Sequence, residues 1–526
     1  MSERHRDGGG MRSETITRRQ LLELALMTGA VGVTAPLIAR REAGRAWAQT
    51  PRQGGTLRMA WASSPRTIDP AVSVQGDEYM ITQNVYDNLT RVDAKLQPQP
   101  ALAARWSSDA EARVWTFNLR QGVKFHHGRE FKASDVVFTF ERVLDPKTGS
   151  PGRTAMGPIE KVEAVDDYTV RFRLSSPYAD LPVNLGVTFG RILPADRADK
   201  IVSEPSGTGP FRVVEFKPGE RTRMVKFADY WDKPRPYLDE LWQVNMPQHA
   251  TQVASLSGND VQMMFEVPVA FIGTLEKTPG VSVVAVKSTS FQPVVMATDQ
   301  KPFDDNRVRL AMKLLLDREA VIKAIWQGRG TVANDHPVPD INPFYAALPQ
   351  RTRDVARAKA LLTEAGHPQG FSAEIWTSNE RVGMQELAVV TQQMVAPAGI
   401  KLEVKTVTWS VFNSTVWKKK SLYINNWFGR STIDETIYPY FRTGGSWNEG
   451  NYSNPKLDRL LEDGRSSTDP GKRKEFYAEA QRLISDEGHY AVAYHTQYVS
   501  AMRAAVKGYT LHPLRWCDFR NAYLEA

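Results

Sequence analysis

The sequence predicts an α/β protein built as two or more lobes, and three observations carry that prediction. The chain has 526 residues, longer than the ~250–300 at which a single hydrophobic core stops growing. Its second half alternates short apolar strands with capped amphipathic helices, the pattern of a parallel or mixed sheet. Its composition, 41% hydrophobic and 24% charged, is that of an ordinary globular protein. That composition excludes a disordered chain, a coiled coil and a polytopic membrane protein.

The first segment reads as an address rather than as structure. Residues 1–13 are polar and Gly-rich, and Thr17-Arg18-Arg19-Gln20-Leu21-Leu22 precedes an apolar run from Leu24 to Ile38. Small residues around Ala46-Trp47-Ala48 then offer a cleavage site after Ala48. Paired arginines followed by Leu-Leu resemble a twin-arginine export signal, although Leu21-Leu22-Glu23 stands where Phe-Leu-Lys is usual. General secretion and an uncleaved anchor are the other readings. Gly29, Gly32 and Pro36 interrupt the run, which disfavours a spanning helix of about 20 apolar residues.

From residue 54 to about 290 the chain reads as strand-rich. A strand opens at Gly54–Ala60. Trp115, Phe117 and Leu119 alternate with polar residues, and so do Val170, Phe172 and Leu174. Ser134 is expected to cap a helix from Asp135 to Leu144 that stops before Asp145-Pro146. Phe211–Phe216 and Arg221–Phe227 flank a Lys217-Pro218-Gly219-Glu220 turn and predict a hairpin.

Residues 291–497 are more helical. Asp305 precedes a face of Val308, Ala311, Met312 and Leu315. Asp317 opens a run through Val321, Ile322 and Ile325 that ends at Gly328. Asp354–Gly366 predicts another helix. Asn454-Pro455 and Asp469-Pro470 each place proline in a first helical turn. Short strands are expected at Ala373–Thr377, Lys401–Val407 and Leu422–Asn425. The tail from Ala504 shows no clear period.

Charge and cysteine narrow the function classes. Lys and Arg total 67 against 59 Asp and Glu, a formal +8. Residues 1–48 contain eight Arg and five acids, so the rest carries +5. No basic stripe suggests nucleic acid. Cys517 is the only cysteine, so intramolecular disulfides and cysteine metal sites are excluded, as is lipid attachment at the N-terminus. Catalytic fragments do not assemble. Lys147-Thr148-Gly149 and Ser453-Asn454-Pro455-Lys456 resemble pieces of serine enzymes in the wrong order. His126-His127 lies on a strand, where adjacent side chains face opposite ways. No metal and no cofactor is expected.

Aromatic residues are abundant, with 13 Trp, 17 Tyr and 21 Phe. The most suggestive cluster is Asn425-Asn426-Trp427-Phe428-Gly429-Arg430-Ser431-Thr432-Ile433-Asp434, followed by Phe441-Arg442-Thr443-Gly444-Gly445-Ser446-Trp447. Apolar walls with a few polar groups are typical of small-molecule sites. Trp427, Phe428, Arg430, Asp434 and Trp447 are the candidate ligand-binding residues.

Four further stretches identify a family resemblance. They are Trp115 to Gly128 continuing through Ala133-Ser134-Asp135-Val136-Val137-Phe138-Thr139; Gly207-Thr208-Gly209-Pro210-Phe211; Asp305-Asn306-Arg307-Val308-Arg309 with Asp317-Arg318-Glu319; and Tyr452-Ser453-Asn454-Pro455-Lys456-Leu457-Asp458. In this order they resemble the family 5 extracellular solute-binding proteins of ATP-binding-cassette importers, which take peptides, opines or nickel complexes. The resemblance implies a two-lobed periplasmic binding protein fold, type II-like and hinge-closing, with an extra subdomain in lobe I. Mapped here it implies a signal at 1–48, lobe I at 49–290 with a subdomain at about 76–204, lobe II at 291–497 and a return segment at 498–526. The crossings fall near Thr289–Pro293 and Tyr494–Ser500. It also implies a monomer that passes a small solute or peptide to membrane permease subunits, with no catalysis and no nucleic acid. Peptide-binding members place an Asp after the Trp of the aromatic loop, to pair with the ligand's amine. Arg430 stands at or beside that place and would favour a carboxylate or phosphate. A solvated loop residue and a partner of Asp434 are the other readings of Arg430. A secreted hydrolase, or a receptor retasked as sensor or chaperone, are the alternative functions.

Overall fold

The computed structural model describes residues 51–525. The export-signal reading of residues 1–48 lies outside them. Among the described residues no helix is long and apolar enough to cross a membrane.

An eleven-stranded mixed sheet organises the fold. Its order runs Lys401–Val407, Ser372–Ser378, Leu422–Ile424, Val281–Met296, Tyr490–Arg503, Met263–Met264, Thr56–Trp61, Glu240–Asn245, Arg221–Lys226 and Phe211–Lys217, while Gly330–Val332 pairs with Tyr490–Arg503 off this path. Strands Ser372–Ser378 and Lys401–Val407 are parallel and in register. They are joined through the helix Met384–Val395, as a parallel pair requires. The hairpin Phe211–Lys217/Arg221–Lys226 is antiparallel around Gly219, at φ 82°.

Two long strands cross the middle of this sheet. Val281–Met296 pairs antiparallel with Tyr490–Arg503 from Val281↔Arg503 to Val295↔Tyr490. The register slips between Lys287 and Phe291 and again between Phe291 and Pro293. Proline has no N–H for the ladder, and Ser288 and Ser290 offer hydroxyls in its place. Ser288 Oγ donates to Thr496 O at 2.9 Å, and Ser290 Oγ meets Tyr498 Oη at 2.5 Å.

Apolar side chains gather in separate cores. One is drawn from Phe291 to Tyr494. A second spans Ala71 to Ile192 around the four-stranded sheet Ala103–Ser108, Val114–Leu119, Thr169–Leu174 and Ile159–Asp166. A third joins Leu57 to Phe265 with Met502 to Ala522. The period-2 strands behave as their patterns predict: Trp115, Phe117 and Leu119 are buried, and so are Val170, Phe172 and Leu174. Each such side chain contributes about 1.5–3 kcal/mol on burial.

Helix starts follow the capping chemistry in the sequence. Asp305 Oδ1 accepts from Arg307 N at 2.8 Å, Asp317 Oδ1 from Ala320 N at 3.0 Å, Asn454 Oδ1 from Lys456 N at 2.9 Å and Asp469 Oδ1 from Gly471 N at 2.8 Å. Each cap contributes about 1 kcal/mol. One expectation is corrected. The helix expected to be capped by Ser134 runs Ala133–Leu144 with Lys132 at its N-cap position. The Asp135 carboxylate accepts the Lys132 N–H at 2.9 Å, so the acid one turn in, not the serine, closes this end.

The Gly207-Thr208-Gly209 segment has a packing reason. It lies against the end of the helix Gly76–Val85, where a Cβ at position 207 would sit 1.9 Å from Val85 O. Only glycine permits that approach.

Candidate functional site

The slipped register of the long strand pair positions the candidate site. After the strand Leu422–Ile424 the chain runs back along residues 290–293. Asn425 N donates to Pro293 O at 3.2 Å. Trp427 and Phe291 exchange both backbone bonds, at 3.0 and 3.1 Å. Gly429 N donates to Ser290 Oγ at 2.8 Å. Gly429 packs so closely that a Cβ would meet Thr289 Oγ1 at 2.0 Å. The aromatic loop is thus laced to the place where the two long strands slip.

The loop then enters a helix, Ile433–Phe441, capped by Thr432. Thr432 Oγ1 accepts from Glu435 N at 3.0 Å, while Glu435 Oε2 takes the Ser431 hydroxyl at 2.6 Å. The Glu435 carboxylate is therefore engaged in closing the helix end.

Trp427, Tyr440 and Trp447 form an aromatic box. Tyr440 meets Trp427 edge-on at 4.7 Å, and Trp447 lies 5.6 Å from Trp427 and 5.4 Å from Tyr440. Arg430 completes it, its Cζ 4.7 Å from the Trp447 ring centroid. Such a cation–π contact contributes about 0.5–2 kcal/mol, more as water is excluded. The Arg430 Nε is buried and has no hydrogen-bond partner among the described residues. Burial alone would lower the pKa of this guanidinium. The Tyr440 phenol and the Glu435 carboxylate outweigh that and hold it above its ordinary value.

The box is fixed from behind by a carboxylate that the sequence did not single out. Glu449 is 1% exposed. Its Oε1 accepts from Trp427 Nε1 at 2.8 Å and Tyr490 Oη at 2.5 Å; its Oε2 accepts from Trp417 Nε1 at 2.9 Å and Asn425 Nδ2 at 2.6 Å. Burial raises its pKa, and these four donors pull it back. The acid thereby sets the angle of the Trp427 indole. Gln292 plays a similar part: its Nε2 donates to Val382 O and Asn426 Oδ1, and its Oε1 accepts from Tyr494 Oη at 2.5 Å.

The five predicted residues do not all meet. Trp427, Arg430 and Trp447 come together. Phe428 is 53% exposed and joins none of these rings. Asp434 is buried on the helix Ile433–Phe441, with Arg465 Nε at 3.5 Å from its Oδ1, so its ionic partner is not Arg430. Burial pushes Asp434 up to about 7, against the pull of Arg465.

Around Asp434 the first two cores touch. Ala179 N donates to Arg465 O at 2.9 Å, and Arg473 Nη2 reaches Asp180 Oδ1 at 2.7 Å, both side chains under a tenth exposed. Arg465 lies over the rings of Tyr438, at 4.0 Å, and Tyr178, at 5.3 Å.

The fragments that resembled serine enzymes serve the scaffold. Ser453 Oγ meets Thr443 Oγ1 at 3.0 Å, Lys456 Nζ pairs with Glu479 at 2.6 Å, and Lys147 sits in a short turn closed by Gly149. Both ring nitrogens of His126 bond to backbone, Nε2 to Gly209 O and Nδ1 to Gly207 N.

Comparison with known proteins agrees with this architecture. The family model described as "Bacterial extracellular solute-binding proteins, family 5 Middle" matches residues 97–449. The chain is 28% identical to heme-binding protein A of Haemophilus influenzae, over 89% of this chain and 92% of that one. It is 28% identical to the dipeptide-binding protein of Escherichia coli K12, over 90% and 95%. A solved relative is the ABC transporter-associated periplasmic binding protein DppA of Helicobacter pylori, in complex with the peptide STSA. It superposes with a TM-score of 0.74 at 29% identity, covering 90% of this chain and 99% of that one. The fold is that of two-lobed periplasmic binding proteins, and these relatives bind solutes rather than transform them. With the match covering most of the chain, it belongs to the bacterial extracellular solute-binding proteins, family 5.

Proposed function

We propose that the protein is an exported, periplasmic receptor that captures a small carboxylate-bearing solute, an opine or a short peptide with its free C-terminus, and delivers it to the permease of an ATP-binding-cassette importer. In this reading residues 1–48 are a twin-arginine-type signal cleaved after Ala48. Lobe I comprises 49–290 and 498–526 with its subdomain at about 76–204, lobe II comprises 291–497, and the receptor acts as a monomer. The slipped segments around Thr289–Pro293 and Tyr494–Ser500 act as the hinge, where interrupted pairing lowers the cost of a backbone rotation. Closure follows capture because the ligand binds the closed arrangement more tightly than the open one.

The observation that supports an acidic ligand is Arg430. Its guanidinium is stacked on Trp447 and its Nε is buried without an acceptor among the described residues. A carboxylate arriving there receives parallel N–H donors from a planar fork, while the Trp427 and Trp447 faces take the apolar part. An ammonium group would be repelled. Phe428 and Asp434 stand outside this contact set, Phe428 as an exposed rim residue and Asp434 as an internal ion-pair partner.

The test is a thermal-unfolding screen over opines, short peptides, organic acids and metal chelates, followed by titration of the hits. A ligand at ~1,000 times its Kd adds about 4 kcal/mol of stability. Arg430→Ala is expected to weaken an acidic hit by about 1.5–3 kcal/mol while leaving the fold intact. Hits confined to neutral or cationic compounds, or an unchanged affinity in Arg430→Ala, would refute the reading.

A further inference from the structure

The strand Tyr490–Arg503 carries Tyr490, Tyr494 and Tyr498 four residues apart, an even spacing that keeps side chains on one face of a strand. Each hydroxyl meets a group that also holds the aromatic loop. Tyr490 Oη donates to Glu449 Oε1 at 2.5 Å, and that oxygen also accepts from Trp427 Nε1 at 2.8 Å. Tyr494 Oη donates to Gln292 Oε1 at 2.5 Å, and Gln292 Nε2 donates to Asn426 Oδ1 at 2.9 Å. Tyr498 Oη meets Ser290 Oγ at 2.5 Å, and that oxygen accepts from Gly429 N at 2.8 Å. The first two links stay on one side, because Tyr490 and Tyr494 belong to the first core. The third link does not. Tyr498 packs against the third core. Arg515 lies over its ring at 5.2 Å and is itself held by Glu266 Oε2 at 2.6 Å.

Ser290 stands where the ladder between the two long strands is broken. Lys287 pairs with Gln497 and Phe291 with His495, so Ser288, Thr289 and Ser290 face Thr496 alone. A bulge of this kind re-aims side chains. Here it brings the buried Ser290 hydroxyl to a junction of three segments: its own strand, the strand of Tyr498, and the aromatic loop at Gly429. A hydroxyl has one proton and two lone pairs. The Gly429 N–H occupies one lone pair, and the Tyr498 bond uses the proton or the other lone pair. Both bonds last only while Oγ stays within about 3 Å of each partner. Gly429 is gripped by the neighbouring residue as well, since a Cβ there would meet Thr289 Oγ1 at 2.0 Å. Arg430 follows directly, with its guanidinium on Trp447. A turn of residues 289 and 290 relative to Tyr498 therefore either carries Gly429 with it or breaks a bond.

We infer that Ser290 and Tyr498 are positioning residues that couple the angle between the two lobes to the placing of Arg430. This rests on the reading of Thr289–Pro293 and Tyr494–Ser500 as the hinge and of Arg430 as a ligand contact. Tyr498 carries the position of the third core, Ser290 passes it to Gly429, and Arg430 is aimed accordingly. Coupling of this kind is reciprocal. A solute held by Arg430 also holds the Ser290–Tyr498 bond, and with it the closed arrangement. Neither residue needs to touch the solute.

The experiment uses the purified chain without ligand. Hydrogen–deuterium exchange with fragment-resolved mass spectrometry reads the Gly429 amide in the wild type, Ser290→Ala, Tyr498→Phe and the double variant. Tyr498→Phe keeps the ring beneath Arg515 and removes no group that Gly429 touches. The coupling predicts that it still speeds Gly429 exchange by at least about threefold, within the roughly two- to tenfold that one neutral hydrogen bond supplies. Ser290→Ala speeds it at least as much. The double variant goes no further than Ser290→Ala, because both changes cut one path. Exchange in the helix Asn306–Leu315 of the first core stays at the wild-type rate in all three. An unchanged Gly429 amide in Tyr498→Phe overturns the coupling and makes Ser290 a local anchor of the loop. Additive effects in the double variant, or a rise that extends equally to Asn306–Leu315, overturn it as well. Should Ser290→Ala fail to fold, Tyr498→Phe alone carries the test. Because no ligand takes part, failure here leaves the Arg430 reading to the ligand screen.

Discussion

Replacing Glu449 by glutamine tests whether the aromatic box is held from behind by a single charge. The side chain keeps its volume, but only one of its two end atoms remains an acceptor. In the wild type Trp427 Nε1 and Tyr490 Oη share Oε1, and Trp417 Nε1 and Asn425 Nδ2 share Oε2. Whichever way the amide settles, one pair of donors then faces an NH2 group. Two charge-assisted bonds at about 1.5–3 kcal/mol each are lost, a gross cost of about 3–6 kcal/mol. Relief of the buried charge offsets part of that, since burial holds the Glu449 pKa above its ordinary value. The net expectation is about 2–4 kcal/mol of lost stability. Urea unfolding followed by tryptophan fluorescence measures it, and ligand titration measures the accompanying loss of affinity as Trp427 loosens. The pH dependence has a definite sign. A carboxyl with a raised folded pKa holds its proton more tightly in the native state than in the unfolded chain, so the wild type gains stability as pH falls through that pKa, while the glutamine variant has no such group to titrate. The gap between the two proteins therefore widens on acidification. A cost below about 1 kcal/mol with unchanged affinity would refute the reasoning.

Three further outcomes follow from named contacts. Arg473→Ala leaves Asp180 buried and unpaired and is expected to cost about 3–5 kcal/mol in denaturant unfolding, whereas the double variant Arg473→Met/Asp180→Asn recovers at least half of it; equal losses in both would show that the pair does not couple the two cores. Asp434→Asn removes a carboxyl held up to about 7. The wild type loses stability as pH rises from about 4 to 7, because the native state gives up a proton it held more tightly than the unfolded chain does. The variant is therefore expected to lack that slope and to exceed the wild type at pH 8 by at most on the order of 4 kcal/mol, read from unfolding across pH. Gly429→Ala drives a methyl to 2.0 Å from Thr289 Oγ1. It is expected to cost about 1–3 kcal/mol and to weaken binding together, with Thr289→Ala restoring part of both; a neutral Gly429→Ala would mean the loop is not laced to the strand.

Local chemistry made much of this fold legible. Asp305, Asp317, Asn454 and Asp469 announce helix starts because a side-chain acceptor must precede orphan N–H groups, and all four accept them. Trp115–Leu119 and Val170–Leu174 alternate because one face of their sheet is buried. The long strand Val281–Met296 was hidden, since Ser288, Ser290 and Pro293 break the apolar period where the ladder itself slips. The helix Ile433–Phe441 was hidden by Pro439 within it and by the glycines around it, so Asp434 read as a loop residue. Trp427, Arg430 and Trp447 could be picked out as aromatic and cationic residues in a turn-rich stretch. Glu449 and Gln292 could not. Glu449 matters only through partners on three separate segments, around Trp417, Asn425–Trp427 and Tyr490, which only the tertiary structure brings together. Glu449-Gly450, placed between a Trp and the Tyr452-Ser453-Asn454-Pro455 signature, was the one local sign available.

The central claim is that an acidic solute is held at Arg430 beside Trp447. Native mass spectrometry of the protein purified from its native host without refolding tests that claim most directly. The account predicts an added mass that tandem fragmentation identifies as a small compound with at least one carboxylate, absent from Arg430→Ala purified in parallel. A neutral or cationic compound retained equally by both proteins would contradict it.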